Sequence, residues 1–300
     1  MIAVNINAGL ANQMFHYAFG RALINKGYDI YYDQTNFRPR KEWNFEDVKL
    51  QDAFPTIELK EMPKGKFKWV FCNSKKKLIK KLYIAMIRFH NIIGDDKYIT
   101  EPTYGYWPNA ENEITPNCIF RGFWQSEKYF LHCKEDIRKQ FTFLPFDEKL
   151  NIKVSLKMQK ENSVAIHLRK GKDYLQSPLM GKGLCGVDYY MNAIKYIKGR
   201  VDNPVFYVFT DNPEWVKTNL PNFDYTLVNW NKVSGKRNFR DMQLMTYCKH
   251  NIIANSTYSW WGAWLNPNPN KIVIGPAKFF NPINDFFSTS DIMCESWIKI

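Results

Sequence analysis

The stretch SVAIHLRKGKDY, residues 163–174, runs an apolar strand directly into a loop carrying two permanent positive charges and an acid. Val164, Ala165, Ile166 and Leu168 read as a buried parallel strand. His167, Arg169 and Lys170 then lie at or beyond its carboxyl end, where open α/β sheets bind their ligands. Arg169 and Lys170 beside Asp173 make a grip suited to phosphate groups, and Gly171 lets the backbone turn and approach them.

The order of elements on either side is that of an α/β protein. Residues 2–6 form a short apolar strand, NAGLAN a glycine-containing loop, and residues 13–26 a helix that places Met14, Phe15, Ala18, Phe19, Ala22 and Leu23 on one face before Gly27 stops it. Another strand follows at residues 29–32, completing the β-loop-α-β order of a parallel sheet. Residues 100–115 read as loop, and GFWQSEKYF leads into a helix near 136–140. The run LPFDEKLNIKV marks a boundary between domains 1–150 and 151–300. Beyond it a helix from Asp188, a strand ending at Asp211, a helix opened by Pro213, the helical RDMQLMTYCKH, the strand NIIAN and the helix SWWGAWL succeed one another.

Composition bounds the rest. A chain of 300 residues with 45% hydrophobic content buries a large core, and its net charge of +13 suits an anionic partner: a nucleotide, a nucleic acid or an acidic membrane surface. Six dispersed cysteines without a C-x-x-C pair indicate neither zinc nor a disulfide framework, and are expected as reduced thiols of a cytoplasmic protein. The amino terminus lacks a basic n-region and is interrupted by Asn5, Asn7, Asn12 and Gln13, unlike a signal peptide. Lysines crowd residues 60–88, and Lys75, Lys76, Lys77, Lys80 and Lys81 precede an apolar stripe of Leu78, Ile79, Leu82, Met86, Ile87 and Phe89. That segment is either a solvated surface helix or a peripheral contact with the inner membrane.

Three strands of the second half end in polar loops, at residues 167–173, 210–212 and 255–259, and a parallel sheet brings such ends to one edge. Arg169 can fork onto a phosphate. Asn255, Ser256, Thr257 and Ser259 precede or open a helix whose amides favour an anion, and Asp211 could accept from the N1–H and amine of a guanine. Ser256 could equally cap its helix, and Asp211 or Asn212 the helix that Pro213 opens. Gly9 to Gln13 offers amides at another strand-to-helix turn, or is simply a tight turn.

In order along nearly the whole chain, NAGLANQMFHYAFGRAL, GFWQSEKYF, IHLRKGKDY, GLCGVDYY, FTDNPEW and DMQLMTYCKHNIIANSTYSWWGAWLN resemble the motifs of bacterial α-1,2-fucosyltransferases of glycosyltransferase family 11. The resemblance implies a GT-B fold: two Rossmann-like domains with parallel sheets facing across a cleft, the first on the acceptor side and the second binding GDP-β-L-fucose. It implies inverting transfer to the 2-hydroxyl of a terminal β-galactoside in O-antigen or capsule synthesis, with no cofactor, metal or nucleic acid. The chain has no D-x-D triplet. By the same likeness His167 and Asp211 contact guanine, Arg169 with Lys170 the diphosphate, and Asn12 the reacting centre, with Gly9 in its loop. The family's H-x-R-R-G-D-Y run departs here, since Lys170 replaces the second arginine and Lys172 is inserted before Asp173.

Trp124, Gln125 and Glu127 are expected on the acceptor side, with Trp124, Tyr106 and Trp107 as faces for sugar stacking. Asp173, Glu127 and Asp33 are the candidate general bases. An α-1,6 or α-1,3 linkage would use the same donor half, and a basic nucleic-acid-binding protein is the reading from another class.

Overall fold

The computed structural model describes residues 1–34, 48–67, 77–94, 96–180, 184–221, 223–281, 283–287 and 291–300. In chain order its first half contains β1 (Ile2–Asn5), α1 (Leu10–Asn25), β2 (Ile30–Asp33), the short α2 (Leu50–Ala53), α3 (Lys77–Ile93), β3 (Lys97–Thr100), β4 (Cys118–Arg121) and α4 (Lys134–Gln140). The second half contains α5 (Lys149–Lys160), β5 (Ser163–Leu168), α6 (Lys172–Leu175), α7 (Val187–Lys198), β6 (Val205–Thr210), α8 (Pro213–Asn219) and β7 (Tyr225–Val228). It closes with α9 (Arg240–Tyr247), β8 (His250–Ile252), α10 (Thr257–Leu265), β9 (Val273–Gly275) and β10 (Ile298–Lys299).

The strands make two parallel sheets, ordered β2-β1-β4-β3 and β10-β9-β8-β5-β6-β7. This is the two-sheet α/β architecture of a GT-B fold. Strands that are covered on both faces must be apolar on both. In β5 the alternation divides the work: Val164, Ile166 and Leu168 pack with Tyr190, Ile194 and Ile197 of α7, while Ala165 packs with Leu244 and Met245 of α9. His167 has the parity of Ala165 and so points to the α9 side. The expected boundary at 150 falls within the first turn of α5.

The halves share one aromatic core. Phe15 of α1 lies 4.6 Å from Trp260 and 4.8 Å from Trp261 of α10, ring centre to ring centre, and Phe130 stacks on Trp261 at 5.6 Å. Trp261 Nε1 donates to the Ala11 carbonyl at 3.0 Å, and Arg138 donates to the Trp264 carbonyl at 2.7 Å. The carboxy-terminal segment also reaches back, with Asp291 accepting from the Tyr106 amide at 2.8 Å and from Lys128 at 2.9 Å. These ties bring the amino ends of α1 and α10 together, and that meeting point is where the polar loops of both sheets gather.

Several short strands lack a sequence pattern strong enough to announce them. β3, β4, β7, β9 and β10 are two to four residues long. Of the lysine cluster, Lys75 and Lys76 lie outside the described residues, as does Cys72, and the side chains of Lys77 and Lys80 are likewise not described. No helix among the described residues is long and apolar enough to cross a membrane.

Candidate active site

Arg169 emerges from the end of β5 and is held on both sides. Its Nη1 pairs with Asp211, from the end of β6, and its Nη2 with Asp173, four residues on in α6. The Lys170 amide donates to the other Asp211 oxygen at 2.7 Å, so Asp211 fixes both the guanidinium and the loop that carries it. Two carboxylates pin the fork's orientation and offset much of its charge. Gly171 has an ordinary extended backbone, and its value lies in space. A Cβ there would stand 2.5 Å from Asp211 Oδ2 and 2.7 Å from Asp173 Oδ1, pushing both acids off the arginine.

Lys170 goes elsewhere. Its ammonium is buried, donates to the Cys185 carbonyl at 2.8 Å and sits 4.6 Å over the Trp215 ring. Burial draws its pKa below the usual lysine range. The lysine that replaces the family's second arginine therefore braces the loop between β5 and α7.

His167 is also buried, and its Nδ1 has no hydrogen-bond partner among the described residues. Burial, with Arg169 nearby, lowers its pKa to about 3, so the imidazole is neutral at physiological pH. Its ring lies 5.7 Å from that of Tyr258, whose hydroxyl accepts from the Met242 amide at 2.9 Å in α9. Beside α9 opens a cavity of about 330 Å³ lined by Thr210, Asp211, Asn229, Asn231, Lys232 and Asp241, within the size of small-ligand pockets. Asp241 has its pKa raised to about 7 by burial, opposed by a hydrogen bond from Asn231 at 2.8 Å. Asp241 was not among the sequence candidates. The available signal was an acid opening an otherwise amphipathic helix, and in sequence that reads as an ordinary first-turn charge.

The residues expected before α10 separate into two kinds. Asn255 is fully buried and has both ends occupied: its oxygen accepts from Tyr174, and its amide donates to the Met180 carbonyl at 2.8 Å and the Phe279 carbonyl at 3.1 Å. It ties α6, behind Arg169, to the start of α10. Ser256 caps α10 by accepting from the Tyr258 amide, and Ser259 bonds back to the Ser256 carbonyl at 3.3 Å. Asn212 likewise caps α8, accepting from the Trp215 amide at 3.1 Å. Thr257 differs, because its hydroxyl reaches across to the first half and donates to Asn12 Oδ1 at 3.0 Å.

Asn12 is the meeting point. The same oxygen accepts from Gln125 Nε2 at 2.9 Å, while the Asn12 NH2 group makes no hydrogen bond to the described residues. Gly9, at the start of α1, is exposed, has nothing within 4 Å of where a Cβ would stand, and leaves that helix without a side-chain cap. The uncapped first turn of α1 and the first turn of α10 thus present two positive helix ends at one junction. Side-chain bonds lead there from Arg169 to Asp173, from the adjacent Tyr174 to Asn255, and from Thr257, two residues on, to Asn12.

On the acceptor side one expectation is corrected. Trp124 offers no face to a sugar: it is completely buried, with its ring stacked 4.0 Å from Phe19. Its backbone has a positive φ of 54°, which turns the ring inward and carries the chain on to Gln125. Glu127 accepts from Trp264 Nε1 at 3.1 Å, towards the far end of α10, about 10 Å along the helix from Thr257. Asp33 is wholly buried and accepts from Asn5 at 2.8 Å. Of the three carboxylates expected as general bases, Asp173 is the one beside Arg169.

Glu101 is a further residue that sequence reading passed over. It follows β3, in a segment read as loop, and accepts from the Phe123 amide at 2.6 Å and the Trp124 amide at 3.3 Å. Burial raises its pKa to about 7. Its role is to hold the turn that delivers Gln125 to Asn12.

The model of the family described as Glycosyl transferase family 11 matches residues 87–300. The chain belongs to glycosyl transferase family 11. An alpha-1,2-colitosyltransferase of Escherichia coli is 32% identical over 313 residues, spanning 100% of this chain and 99% of the relative. The O-antigen biosynthesis glycosyltransferase WbnK of Escherichia coli is 30% identical, over 98% of this chain and 99% of that one. The human galactoside alpha-(1,2)-fucosyltransferase 1 is 29% identical over 60% of this chain and 51% of its own. Among solved structures, Arabidopsis thaliana FUT1 in complex with GDP superposes with a TM-score of 0.50 at 12% identity, covering 94% of this chain and 71% of that one. That likeness shows the fold. Membership of family 11 decides for a glycosyltransferase over a nucleic-acid-binding protein as the owner of the basic charge.

Proposed function

We propose that this family 11 enzyme transfers L-fucose from GDP-β-L-fucose to the 2-hydroxyl of a terminal β-galactoside, with inversion and without a metal, in the assembly of a bacterial surface glycan. The observation that carries the reading is the series of side-chain bonds, Arg169 to Asp173, Tyr174 to Asn255, and Thr257 and Gln125 to Asn12, joined by one- and two-residue steps of backbone, that links the edge of the second sheet to the first. The names of the human and Escherichia coli relatives support an α-1,2 linkage, a galactoside acceptor and an O-antigen setting.

In this reading the acceptor oxygen forms a bond to C1 of the sugar as the bond from C1 to the β-phosphate oxygen breaks. GDP departs with the electron pair, and the acceptor proton passes to a base or to water. Arg169 meets the charge that develops on the leaving phosphate. The phosphate takes over the place of Asp173, the more exposed of the arginine's two partners at 24% against 14% for Asp211. Asp173, released from the arginine, is the candidate carboxylate for the proton. The Asn12 amide orients the acceptor.

Guanine occupies the cavity beside α9, where ionised Asp241 accepts from its N1–H and amine, and neutral His167 stands 5.7 Å from the Tyr258 ring. A pH dependence follows. Only the carboxylate accepts, so GDP affinity rises as pH increases towards about 7, by up to about tenfold per unit, and levels off above it. The folded protein holds the Asp241 proton more tightly than the unfolded chain does. The contribution of Asp241 to stability therefore falls as pH rises from about 4 to about 7, and is level on either side. Calorimetric titration of GDP across this range tests the assignment. Asp241→Asn should bind more weakly at high pH and lose the slope, and a variant that keeps the slope removes Asp241 from the guanine site.

Incubation with GDP-β-L-fucose and a panel of β-galactosides, with EDTA present, tests the whole reading. The expected product is an α-1,2-linked fucoside, identified by linkage analysis. An α-1,3 or α-1,6 product, or a requirement for added metal, would overturn the corresponding part. The colitosyltransferase relative favours one second reading, a donor sugar lacking the 3-hydroxyl of fucose. Parallel turnover of GDP-colitose and GDP-fucose, compared as kcat/KM, separates the two.

A further inference from the structure

The helix α3 is apolar on two opposite sides. One side is anchored: Ile87 is buried against Ala3, Tyr98 and Ile119 of the first sheet. Asn91 clamps the strand beneath, its oxygen accepting from the Tyr98 amide at 2.8 Å and its amide donating to the Tyr98 carbonyl at 3.1 Å. At 100° per residue, Leu78, Leu82, Met86, Phe89 and Ile92 fall on an arc nearly opposite Ile87. Leu78 is 69% exposed, Leu82 57%, Phe89 60% and Ile92 80%. An exposed apolar stripe of this length on an amphipathic helix calls for a partner.

Charge identifies the partner. Residues 60–88 hold ten lysines and arginines and one acid, Glu61, and so carry most of the protein's net charge of +13. Lys81 and Arg88, both exposed, lie along one flank of the stripe, and the helix contains no Asp or Glu. A basic flank beside an apolar stripe matches the phosphate layer and acyl boundary of an anionic bilayer. A helix of 17 residues interrupted by lysines lies on such a surface and does not span it.

We propose that α3 docks the enzyme on an anionic membrane surface, with Leu78, Leu82, Phe89 and Ile92 entering the headgroup boundary and Lys81 and Arg88 meeting lipid phosphates. Arg121, at the carboxyl end of β4, stands over the Tyr83 ring, so the amino-terminal part of α3 lies beside the sheet edge that holds the candidate active site. Granting the function proposed above, docking presents that edge to glycans anchored in the same leaflet.

Sedimentation of the full chain with phosphatidylcholine vesicles, with and without phosphatidylglycerol, tests the docking independently of any transfer activity. The protein should co-sediment with the phosphatidylglycerol vesicles, less so in high salt. Leu82→Glu combined with Phe89→Glu should cut binding about tenfold or more. Because both side chains are exposed and outside the site, this variant should keep its circular dichroism spectrum and melting temperature, and its transfer to soluble acceptors. Equal binding by variant and parent, or none by the parent, overturns the proposal. A concentration-dependent dimer that the double variant abolishes also overturns it, assigning the stripe to a second copy of the chain.

Discussion

Arg169→Ala lowers kcat by about 10²- to 10³-fold in a protein that remains folded. The expectation rests on where the guanidinium stands. It is the cation at the open end of β5, pre-oriented by Asp211 and Asp173, whereas the neighbouring Lys170 is buried and committed to the Cys185 carbonyl. In the proposed reaction, removal of the fork takes the two-pronged contact from the β-phosphate and leaves it helix ends that carry partial charges only. Arg169→Lys keeps the charge without the two-pronged geometry, and should recover activity only in part. Arg169→Ala also leaves Asp211 with its Lys170 amide bond and no counter-charge, so circular dichroism and a melting curve must accompany the kinetics. Undiminished turnover by a folded Arg169→Ala protein would remove this residue from the chemistry.

Trp261→Ala should cost about 3–5 kcal/mol of unfolding free energy, among the largest effects of any single substitution in the chain. The ring is completely buried between Phe15, Phe130 and Phe141, and its Nε1–H is bonded to the Ala11 carbonyl. Truncation leaves a cavity at the seam where α1 meets α10 and frees an acceptor one residue from Asn12. Trp261→Phe keeps most of the packing and loses the hydrogen bond, for a smaller cost of about 1–3 kcal/mol. Urea denaturation measures both. A cost under about 1 kcal/mol for the alanine variant would mean that the two halves are not joined through this core. Transfer activity should fall with Trp261→Ala even where the protein is folded, since Asn12 and Thr257 lose their common backing.

Much of the architecture was legible from local pattern. The apolar run of β5, the helical face of Met14, Phe15, Ala18 and Phe19, and Pro213 at the first turn of α8 each follow from periodicity or backbone chemistry over a few residues. The strands β3, β4, β7, β9 and β10 escaped because patterns that short, without a telling flank, are shared by loops. The site was legible as a set of loops at one edge, and not as a division of labour within it. Asn255 and Thr257 are two residues apart with similar side chains. Yet one is consumed bracing α6 and the loop at Phe279, and the other bridges to Asn12.

The same limit explains Trp124 and Asp241. An aromatic in a loop and an acid in a helix's first turn have ordinary readings, and both were reversed by what packs around them. A positive φ turns Trp124 into the core, and the cavity beside α9 leaves Asp241 as a half-buried acid lining ligand-sized space. The sequence by itself determined the chemistry available here: parallel strands with polar ends, an arginine at the end of one of them, a lysine-rich helix with too many apolar residues for one face. Only the tertiary structure decided which of those groups are spent on holding the protein together and which remain free to act. Hydrogen bonds and burial are settled between residues up to 250 positions apart, as with Trp261 and Ala11, or 245, as with Thr257 and Asn12, and no local pattern encodes such a meeting.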